Sequence, residues 1–477
     1  MFGKAIHWFR QDLRLSDNPA LSEANLHSEV FPIYILDNHA SETENIGAAS
    51  QWWLHHSLTK LDQQLGGKLS IFVGDPGKIL TALVKRNEIT HVFWNRCYEP
   101  WRVSRDKKIK ELLEKQGTFV QTKNGSLLWE PWRVLKKDGS PYKVFTPFYK
   151  RACQDTDPPR QPLTAVDIRK SKKDVETLSV DSLNLLPKTR WYDQIEALWN
   201  PGERGAKKAL NSFLSCGLAG YQLGRDFPVR ENISKLSPHL HFGELSPNEV
   251  WYSESREGIL NCSSDDGVLF CRQLIWREFS YNLLYFFKDL PEENFKSKFD
   301  RFPWVVNQNH LKSWKQGNTG IPFIDAGMRE LWQTGHMHNR VRMIAASFLV
   351  KNLLIDWREG QKWFWDCLLD ADLASNSAGW QWVAGSGVDA APYFRIFNPV
   401  SQGKKYDLEG LYIRKFVPEL SQMPNEFIHD PWNAPPEILE KANVILGQNY
   451  SFPIVDLKES RQRALSAYSQ IKGAKNL

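Results

Sequence analysis

The sequence predicts an α/β domain followed by an all-helical domain, so the fold class is α/β plus all-α. Two observations carry this prediction. In the first 130 residues, short β-branched or aromatic runs alternate with helical patterns, and from residue 191 onward helical periodicity dominates. The length of 477 residues also calls for more than one domain, because single cores stop growing at about 250–300 residues.

Five runs in the first part are nearly continuous in apolar character, as in strands of a sheet buried on both faces. They are residues 5–9, 31–36, 69–73, 91–94 and 118–121. Helical patterns lie between them at residues 48–65, 76–87 and 103–116. The alternation predicts a doubly wound, mostly parallel sheet over residues 1–130. Neither GxGxxG nor GxxxxGK[ST] occurs, so this part has no dinucleotide fingerprint and no P-loop.

The next part loses any sustained period. Residues 131–190 are rich in Pro, Ser, Lys and Asp and are interpreted as a connector. A helical domain is predicted over residues 191–477, with helices at 267–287, 325–335, 341–357 and 360–369. Asp325 is the expected N-cap of the second of these.

Composition excludes several classes of protein. No apolar run approaches the roughly 18 residues that span a bilayer, and the N-terminus lacks the apolar core of a signal peptide. We therefore expect a cytoplasmic enzyme without membrane contact. The six cysteines are scattered, with no CxxC pair, which argues against a metal site. A net charge of +6 permits a nucleic-acid partner.

Two stretches carry the candidate chemistry. Residues 321–402 are dense in Trp, Asn, Arg and Asp, which a plain core rarely admits, so a polar and aromatic pocket between helices is expected there. Residues 221–247 combine Tyr, Arg, Ser and Lys in a loop punctuated by Gly and Pro, a pattern suited to phosphate binding.

The motifs LIWREF, MHNRVRM, IDWREG, DADLASNSAGWQW and DAAPYFRIFNP resemble those of the photolyase/cryptochrome family in order and spacing. The resemblance runs from HWFRQDLRLSDN to YSFPIVDLKESRQRALSAYSQIK and is strongest to photolyases for cyclobutane pyrimidine dimers. It implies a carbon–carbon lyase that repairs DNA carrying ultraviolet-induced pyrimidine lesions. Repair would proceed by electron transfer from photoexcited reduced FAD, with the protein acting as a monomer.

The resemblance also implies FAD contacts in the helical domain. The matching positions are Tyr221, Ser234, Lys235, Leu236, Ser237, Arg342, Asp370, Asp372 and Asn376. The first five would wrap the phosphates and ribityl chain, although Ile233 stands where the family commonly has Thr. Arg342 and Asp370 would form an ion pair against the flavin ring, and Asp372 would bond its polar edge. Asn376 would lie beside N5, where an amide suits an anionic, fully reduced flavin.

Three tryptophans match the family's electron chain from flavin to surface: Trp380, Trp357 and Trp304. Tryptophan suits this role because its ring is the most readily oxidised of the common apolar side chains. Trp314 is a candidate bypass. Each tryptophan taken singly would be interpreted as core packing.

The lesion contacts implied by the resemblance are Gln273, Trp276, Asn339, Arg340, Met343 and Trp382. The two tryptophans would flank the flipped-out dimer, since photolyases extrude their target bases. Arg340 would contact a phosphate. Gln273 departs from the family, because photolyases for these dimers carry Glu there, and an amide loses the charge.

Two alternatives stay open. Photolyases for (6-4) photoproducts place adjacent histidines in the pocket, whereas this chain has His336-Met337-His338-Asn339. A cryptochrome would be a blue-light photoreceptor without repair, and such proteins usually carry a C-terminal extension that we do not expect here. A second, light-harvesting chromophore is expected between the α/β domain and the connector, where WNRCYEPW resembles the family's antenna motif and Glu99 is a candidate contact. Methenyltetrahydrofolate and 8-hydroxy-deazaflavin both fit this role.

Overall fold

The computed structural model describes residues 3–37, 45–253 and 264–472. The chain groups into two compact units. The first comprises residues 1–219, 234–288 and 369–374, and the second comprises residues 220–233, 289–368 and 375–477. The first unit thus takes in the segments predicted as α/β domain and connector, together with part of the segment predicted as helical. No helix within the described ranges is long and apolar enough to cross a bilayer.

The first unit contains a five-stranded sheet in the order β3-β2-β1-β4-β5. Its strands are Lys4–Phe9 (β1), Glu29–Leu36 (β2), Ser70–Val73 (β3), Ile89–Asn95 (β4) and Phe119–Lys123 (β5). All four pairings are parallel. The five predicted strands and the doubly wound topology are confirmed, with strand ends displaced by no more than two residues.

Both faces of the sheet are covered, which explains the continuous apolar runs. Within β1, Ala5 and Phe9 belong to one buried cluster, whereas Ile6 and Trp8 belong to another on the opposite face. Alternate side chains of a strand point to opposite faces. Every residue from Ala5 to Phe9 is therefore buried.

The α-helices of the chain are numbered in order. They are Pro19–Ala24 (α1), Ala48–Gln64 (α2), Pro76–Asn87 (α3), Pro100–Lys115 (α4), Phe145–Gln154 (α5), Asp193–Leu198 (α6), Glu203–Ser212 (α7), Tyr221–Gly224 (α8), Ser237–His241 (α9), Pro247–Ser253 (α10), Asp265–Phe286 (α11), Gln308–Gln316 (α12), Pro322–Thr334 (α13), Asn339–Ser347 (α14), Trp357–Cys367 (α15), Leu373–Ala384 (α16), Pro399–Tyr406 (α17), Leu411–Phe416 (α18), Pro436–Lys441 (α19) and Leu457–Lys472 (α20). Two π-helical turns occur, at Phe213–Gly217 and Phe348–Asn352.

The single helix predicted over residues 341–357 is wrong. Helix α14 ends at Ser347 and passes into the π-helical turn, and Leu354 then takes a positive φ of 56°, which breaks the helical path. Asp356 caps the next helix by accepting from Arg358 N at 2.9 Å. Trp357 therefore begins α15. The apolar run MIAASFLVKNLLI hid this break because both segments are buried.

Two further expectations need correction. Asp325 is not an N-cap, since Ile321 holds that position in α13. Asp325 is buried inside the first turn and accepts from Thr319 N at 2.7 Å, Gly320 N at 3.0 Å and the Tyr450 hydroxyl at 2.8 Å. The segment interpreted as a connector also contains a helix, α5, which covers Phe145–Gln154.

Gly243 offers a test of the fold of the first unit. It has a φ of +65°, and an added Cβ would lie 2.1 Å from the Gln11 carbonyl oxygen. We expect Gly243→Ala to lower the free energy of unfolding by at least about 2 kcal/mol, because backbone atoms cannot move aside cheaply. Urea denaturation measures this change.

Gly66 is the matched control. Its φ is +64°, but no atom lies within 4 Å of an added Cβ. Gly66→Ala should therefore cost only the backbone strain of about 1–2 kcal/mol. Equal losses in the two variants would contradict the role of the contact with Gln11.

Candidate functional site

The segment predicted to bind phosphates is sharply turned. In the first unit, Lys235 has a positive φ of 52°, an uncommon conformation for a residue other than glycine. Leu236 is buried, and Ser237, the first residue of α9, donates its hydroxyl to Asp370 Oδ2 at 2.6 Å. Two of the predicted flavin contacts are thus brought together. The turn exposes Lys235 and leaves Ser234 half-buried.

Asp372 lies in a second polar cluster of the first unit. It is buried, accepts from the Tyr281 hydroxyl, and has His241 Nδ1 3.5 Å from Oδ2. Burial alone would raise the pKa of Asp372. The hydrogen bond and charge of His241, the charge of Arg277 and the Tyr281 hydroxyl outweigh burial and hold the pKa well below its usual range. Asp372 is therefore a fixed anion, and the sequence analysis missed its two ring partners.

Helix α11 carries the predicted lesion contacts of the first unit. Trp276 is 36% exposed, and its ring stacks on Phe145 with centroids 3.5 Å apart and an angle of 5°. Phe145 begins α5, so the unpredicted helix supplies the support for this ring. Gln273 donates its side-chain amide to Leu269 O at 3.0 Å. The helix thus presents an oriented aromatic face beside an amide.

The opposite side of α11 is buried and charged. Glu278 is 3% exposed and accepts from the backbone N–H groups of Leu128 and Trp129 at 3.0 and 3.1 Å. Burial raises its pKa to about 7, although the adjacent Arg277 opposes this shift. Sequence reasoning passed over Glu278 because the LIWREF motif alone does not show which of its residues point inward.

The second unit holds the predicted tryptophans. Trp380 is buried. Among the described residues its ring packs against Trp314, with centroids 6.2 Å apart, and against Phe364, with centroids 4.9 Å apart. An added Cβ on Gly360 would lie 2.1 Å from Trp380 Cη2, so glycine is needed there for the ring to fit. Asn376, one turn before Trp380 on α16, donates to Gln361 O at 3.1 Å.

The other two tryptophans of the predicted chain differ in exposure. Trp357 is fully buried and donates its indole N–H to Asn294 Oδ1 at 2.9 Å. Trp304 is half-buried and packs against Phe302, with ring centroids 4.4 Å apart. Exposure therefore rises from Trp357 to Trp304, and the electron chain that these residues would form stays a prediction.

Helix α14 groups four of the predicted residues within five positions. Asn339 donates to Met343 Sδ at 4.0 Å, one turn along the helix. Arg340 donates from Nη2 to Asp226 Oδ2 at 2.7 Å, and Arg342 donates from Nε to Met337 O at 2.7 Å. The ion pair predicted between Arg342 and Asp370 stays a prediction. Trp382, on α16, is half-buried.

The start of α14 is fixed by residues that sequence reasoning did not single out. His338 is the N-cap, and its Nδ1 accepts from Arg340 N at 3.2 Å. Its backbone N–H donates to Glu330 Oε2 at 3.2 Å, and the Tyr412 hydroxyl donates to the same oxygen at 2.6 Å. Burial lowers the pKa of His338 to about 4, and the charge of Glu330 opposes this only in part.

A pocket opens at the carboxyl ends of β1 and β2 in the first unit. It holds about 740 Å³ of space, counting its open mouth, and its lining includes Trp8, Arg10, Asp37, Trp101, Arg102 and Arg105. The Arg10 and Arg105 guanidinium groups lie 4.8 and 5.2 Å from the Trp8 ring centroid. Among the described residues, neither Glu99 nor any part of segment 131–190 lines this pocket.

Comparisons with known proteins give one consistent family. Residues 5–167 match the family model described as DNA photolyase, and residues 270–470 match the FAD binding domain of DNA photolyase. A deoxyribodipyrimidine photo-lyase of Agrobacterium fabrum is 47% identical over 98% of this chain and 98% of its own. Cryptochrome-2 of Arabidopsis thaliana is 38% identical over 99% of this chain and 79% of its own.

Solved structures agree with these matches. The crystal structure of a bacterial class III photolyase from Agrobacterium tumefaciens superposes with a TM-score of 0.93 at 46% identity, covering 99% of this chain and 98% of that one. An archaeal photolyase from Sulfolobus tokodaii, solved with two FAD molecules, has a TM-score of 0.80 at 30% identity, covering 98% and 99%.

The N-cap of α14 predicts a specific dependence of stability on pH. The folded pKa of His338 is about 4 against an ordinary value of 6.5. Between these values the unfolded chain binds a proton that the folded chain does not, so stability falls as the pH is lowered from 6.5 towards 4. At pH 5 we expect this residue to cost about 2 kcal/mol relative to pH 7.5.

The variant His338→Asn isolates this effect, because asparagine also caps helices but does not titrate. Its urea unfolding free energy should change less between pH 7.5 and pH 5 than that of the wild type. His338→Ala should lose about 1 kcal/mol at pH 7.5 through the missing cap. Identical pH profiles for wild type and His338→Asn would contradict the assignment.

Proposed function

The chain belongs to the photolyase/cryptochrome family, and from this we propose that it is a deoxyribodipyrimidine photo-lyase. It would use blue light to split cyclobutane pyrimidine dimers in DNA. The observation that carries the proposal is the 47% identity, over nearly the full length of both chains, to a relative of that name. The sequence His336-Met337-His338-Asn339 also favours dimer repair over repair of (6-4) photoproducts.

FAD is the proposed cofactor, and when bound it supplies light absorption and one-electron transfer. The polar side chains present fit FAD. Ser237 and Lys235 lie in one turned segment that suits phosphates, and Asp372 is held as a fixed anion that can accept from a ring N–H. Asn376 contributes an oriented amide, which hydrogen-bonds without acting as an acid. The other proposed FAD contacts are Tyr221, Ser234, Leu236, Arg342 and Asp370.

The lesion would be held by aromatic faces. Trp276, supported by Phe145, can stack on flipped pyrimidines, which contributes about 1–3 kcal/mol per base. From the family resemblance, Trp382, Gln273, Asn339 and Met343 are the other proposed lesion contacts. Gln273 can both donate to and accept from a pyrimidine edge. Splitting by electron transfer needs no general acid. The part of the chain is therefore to bind and orient the lesion and to exclude water from it.

A second chromophore is proposed for the pocket at the ends of β1 and β2. Indole rings and guanidinium groups line it, so it suits a planar, anionic pigment. Methenyltetrahydrofolate and 8-hydroxy-deazaflavin share that chemistry. Glu99, the contact that we expected from the sequence, does not line the pocket but lies 3.6 Å from Nη1 of Arg102, which does. Its role as a contact stays a prediction.

The function is tested by illuminating reduced protein with DNA that carries one defined lesion. We expect the cyclobutane dimer to be restored to two pyrimidines, with a (6-4) photoproduct left unchanged. If only the (6-4) photoproduct is restored, that lesion is the substrate, as Gln273 would indicate and His336-Met337-His338-Asn339 would not. If neither lesion is repaired, the photoreceptor alternative, which the cryptochrome relatives represent, replaces the proposal.

In a binding assay by fluorescence anisotropy in the dark, Trp276→Ala should weaken binding to lesion DNA by about 1–3 kcal/mol and leave binding to intact DNA unchanged. Trp332→Ala is the matched control, because Trp332 is a half-exposed tryptophan that also stacks, on Trp363 with centroids 5.9 Å apart. Flavin absorbance checks that both variants fold. Equal losses on both DNAs would remove Trp276 from the lesion pocket.

The tryptophans of the second unit predict a branched electron path. Trp357→Phe keeps most of the packing volume but raises the oxidation potential, so photoreduction should slow while flavin content stays near normal. Because Trp314 contacts Trp380 directly, we expect residual photoreduction in Trp357→Phe that disappears in Trp357→Phe/Trp314→Phe. Time-resolved absorption measures both rates. Unchanged photoreduction in Trp357→Phe and in Trp304→Phe would contradict the predicted chain.

A further inference from the structure

Arg340, the proposed phosphate contact, is held by two different groups. Its Nη2 donates to Asp226 Oδ2 at 2.7 Å, and its guanidinium carbon lies 4.7 Å from the ring centroid of Tyr406. The Arg340 side chain is 20% exposed and the Asp226 side chain 37%. Its Nε is buried with no hydrogen-bond partner among the described atoms. The ion pair and the ring contact together restrain the guanidinium more than water would restrain a surface arginine.

The two groups that hold Arg340 are themselves supported. Tyr406 ends α17, is 8% exposed, and packs edge to face on Phe227 with centroids 5.9 Å apart. Phe227 follows Asp226 in the chain, so the ring and the carboxylate are fixed by a shared contact. Lys405 adds a second cation, 5.1 Å from the centroid of the same ring. All these residues belong to the second unit.

An acidic partner is unusual for a residue that binds DNA. A phosphate and the Asp226 carboxylate compete for one cation, and they repel each other well inside the Debye length of about 8 Å at physiological salt. Binding to intact DNA rests almost wholly on such cations. Lesion DNA adds the stacking of flipped bases and a distorted backbone. A weakened cation therefore favours lesion DNA only if the distorted backbone reaches Arg340 without drawing it away from Asp226.

We infer that Asp226 is a specificity-determining residue, which restrains Arg340 so that intact DNA is bound weakly. The carboxylate offsets the charge of Arg340 and pins it on Tyr406. A phosphate of straight duplex has to draw the guanidinium away from Asp226, whereas the backbone around a flipped dimer reaches it in place. This inference rests on the proposed function, because it requires that Arg340 contact DNA.

The variant Asp226→Asn tests the inference, since the amide keeps an acceptor for Arg340 but removes the charge. Binding to intact and lesion duplexes is measured by fluorescence anisotropy at several salt concentrations. Intact duplex should bind about two- to fivefold more tightly, the range of a partly exposed ion pair. The slope of log K against log salt should steepen by up to about one unit. The ratio of lesion to intact affinity should fall.

Two controls isolate the pair. In the Arg340→Gln background, Asp226→Asn should no longer tighten binding, because the restraint acts through Arg340. Glu419→Gln removes the same charge from another arginine pair of this unit, with Arg329 Nη1 2.9 Å from both carboxylate oxygens, and should leave DNA binding unchanged. Flavin absorbance and photoreduction confirm that each variant is folded.

The outcomes separate this inference from the proposed function. If the wild type prefers lesion DNA but Asp226→Asn binds intact duplex no more tightly, the inference fails and the function stands. Equal tightening on both duplexes also overturns it, because the charge of Asp226 would then set affinity without specificity. If the wild type binds neither duplex, both fail together.

Discussion

The start of α14 in the second unit depends on one half-buried carboxylate, that of Glu330. It accepts from His338 N and the Tyr412 hydroxyl and has His336 Nδ1 3.6 Å away. Burial opposes its ionisation, but these partners lower its pKa below the ordinary value. A buried charge is tolerated only when it is satisfied in this way. Because Glu330 fixes residues 336–338, it also fixes where α14 begins.

The consequence for function lies in the order of residues on α14. Asn339 and Met343 fall on one side of the helix, one turn apart, whereas Arg340 points to Asp226 and Tyr406. A shift of the helix start by one residue would rotate this set by about 100°. The N-cap and the Glu330 network therefore determine which side chains of α14 share a face of the helix, and so which are available for the proposed lesion and phosphate contacts. His338 and Glu330, which are not themselves proposed to contact DNA, thus position the residues of α14 that are.

The tryptophans of the proposed electron path also serve packing. Trp380 is packed against Trp314 and Phe364, and Gly360 leaves the space that its ring fills. Close ring contacts in a well-packed core are also what short electron-transfer steps require. In the first unit, Trp276 is partly exposed, as the proposed stacking on bases requires, and the opposite side of α11 is anchored by the buried Glu278. Buried tryptophans such as Trp380 thus pack against other rings, whereas the partly exposed Trp276 is available to a ligand.

The sequence by itself determined the sheet, the main helices and the family. Alternation of apolar runs is a local property, so the five strands and their parallel arrangement followed from it, and five motifs in order were enough to indicate the cofactor and the lesion. Tertiary structure decided what periodicity cannot encode. Leu354 and Asp356 break a run that is mostly apolar, and the buried Asp325 accepts a hydrogen bond from Tyr450, which lies 125 residues away. Phe145 supports Trp276, and Asp226 meets Arg340, across long separations in the chain. Such pairings arise only when distant segments pack, because a side chain's partners are set by the folded backbone and not by its neighbours in sequence.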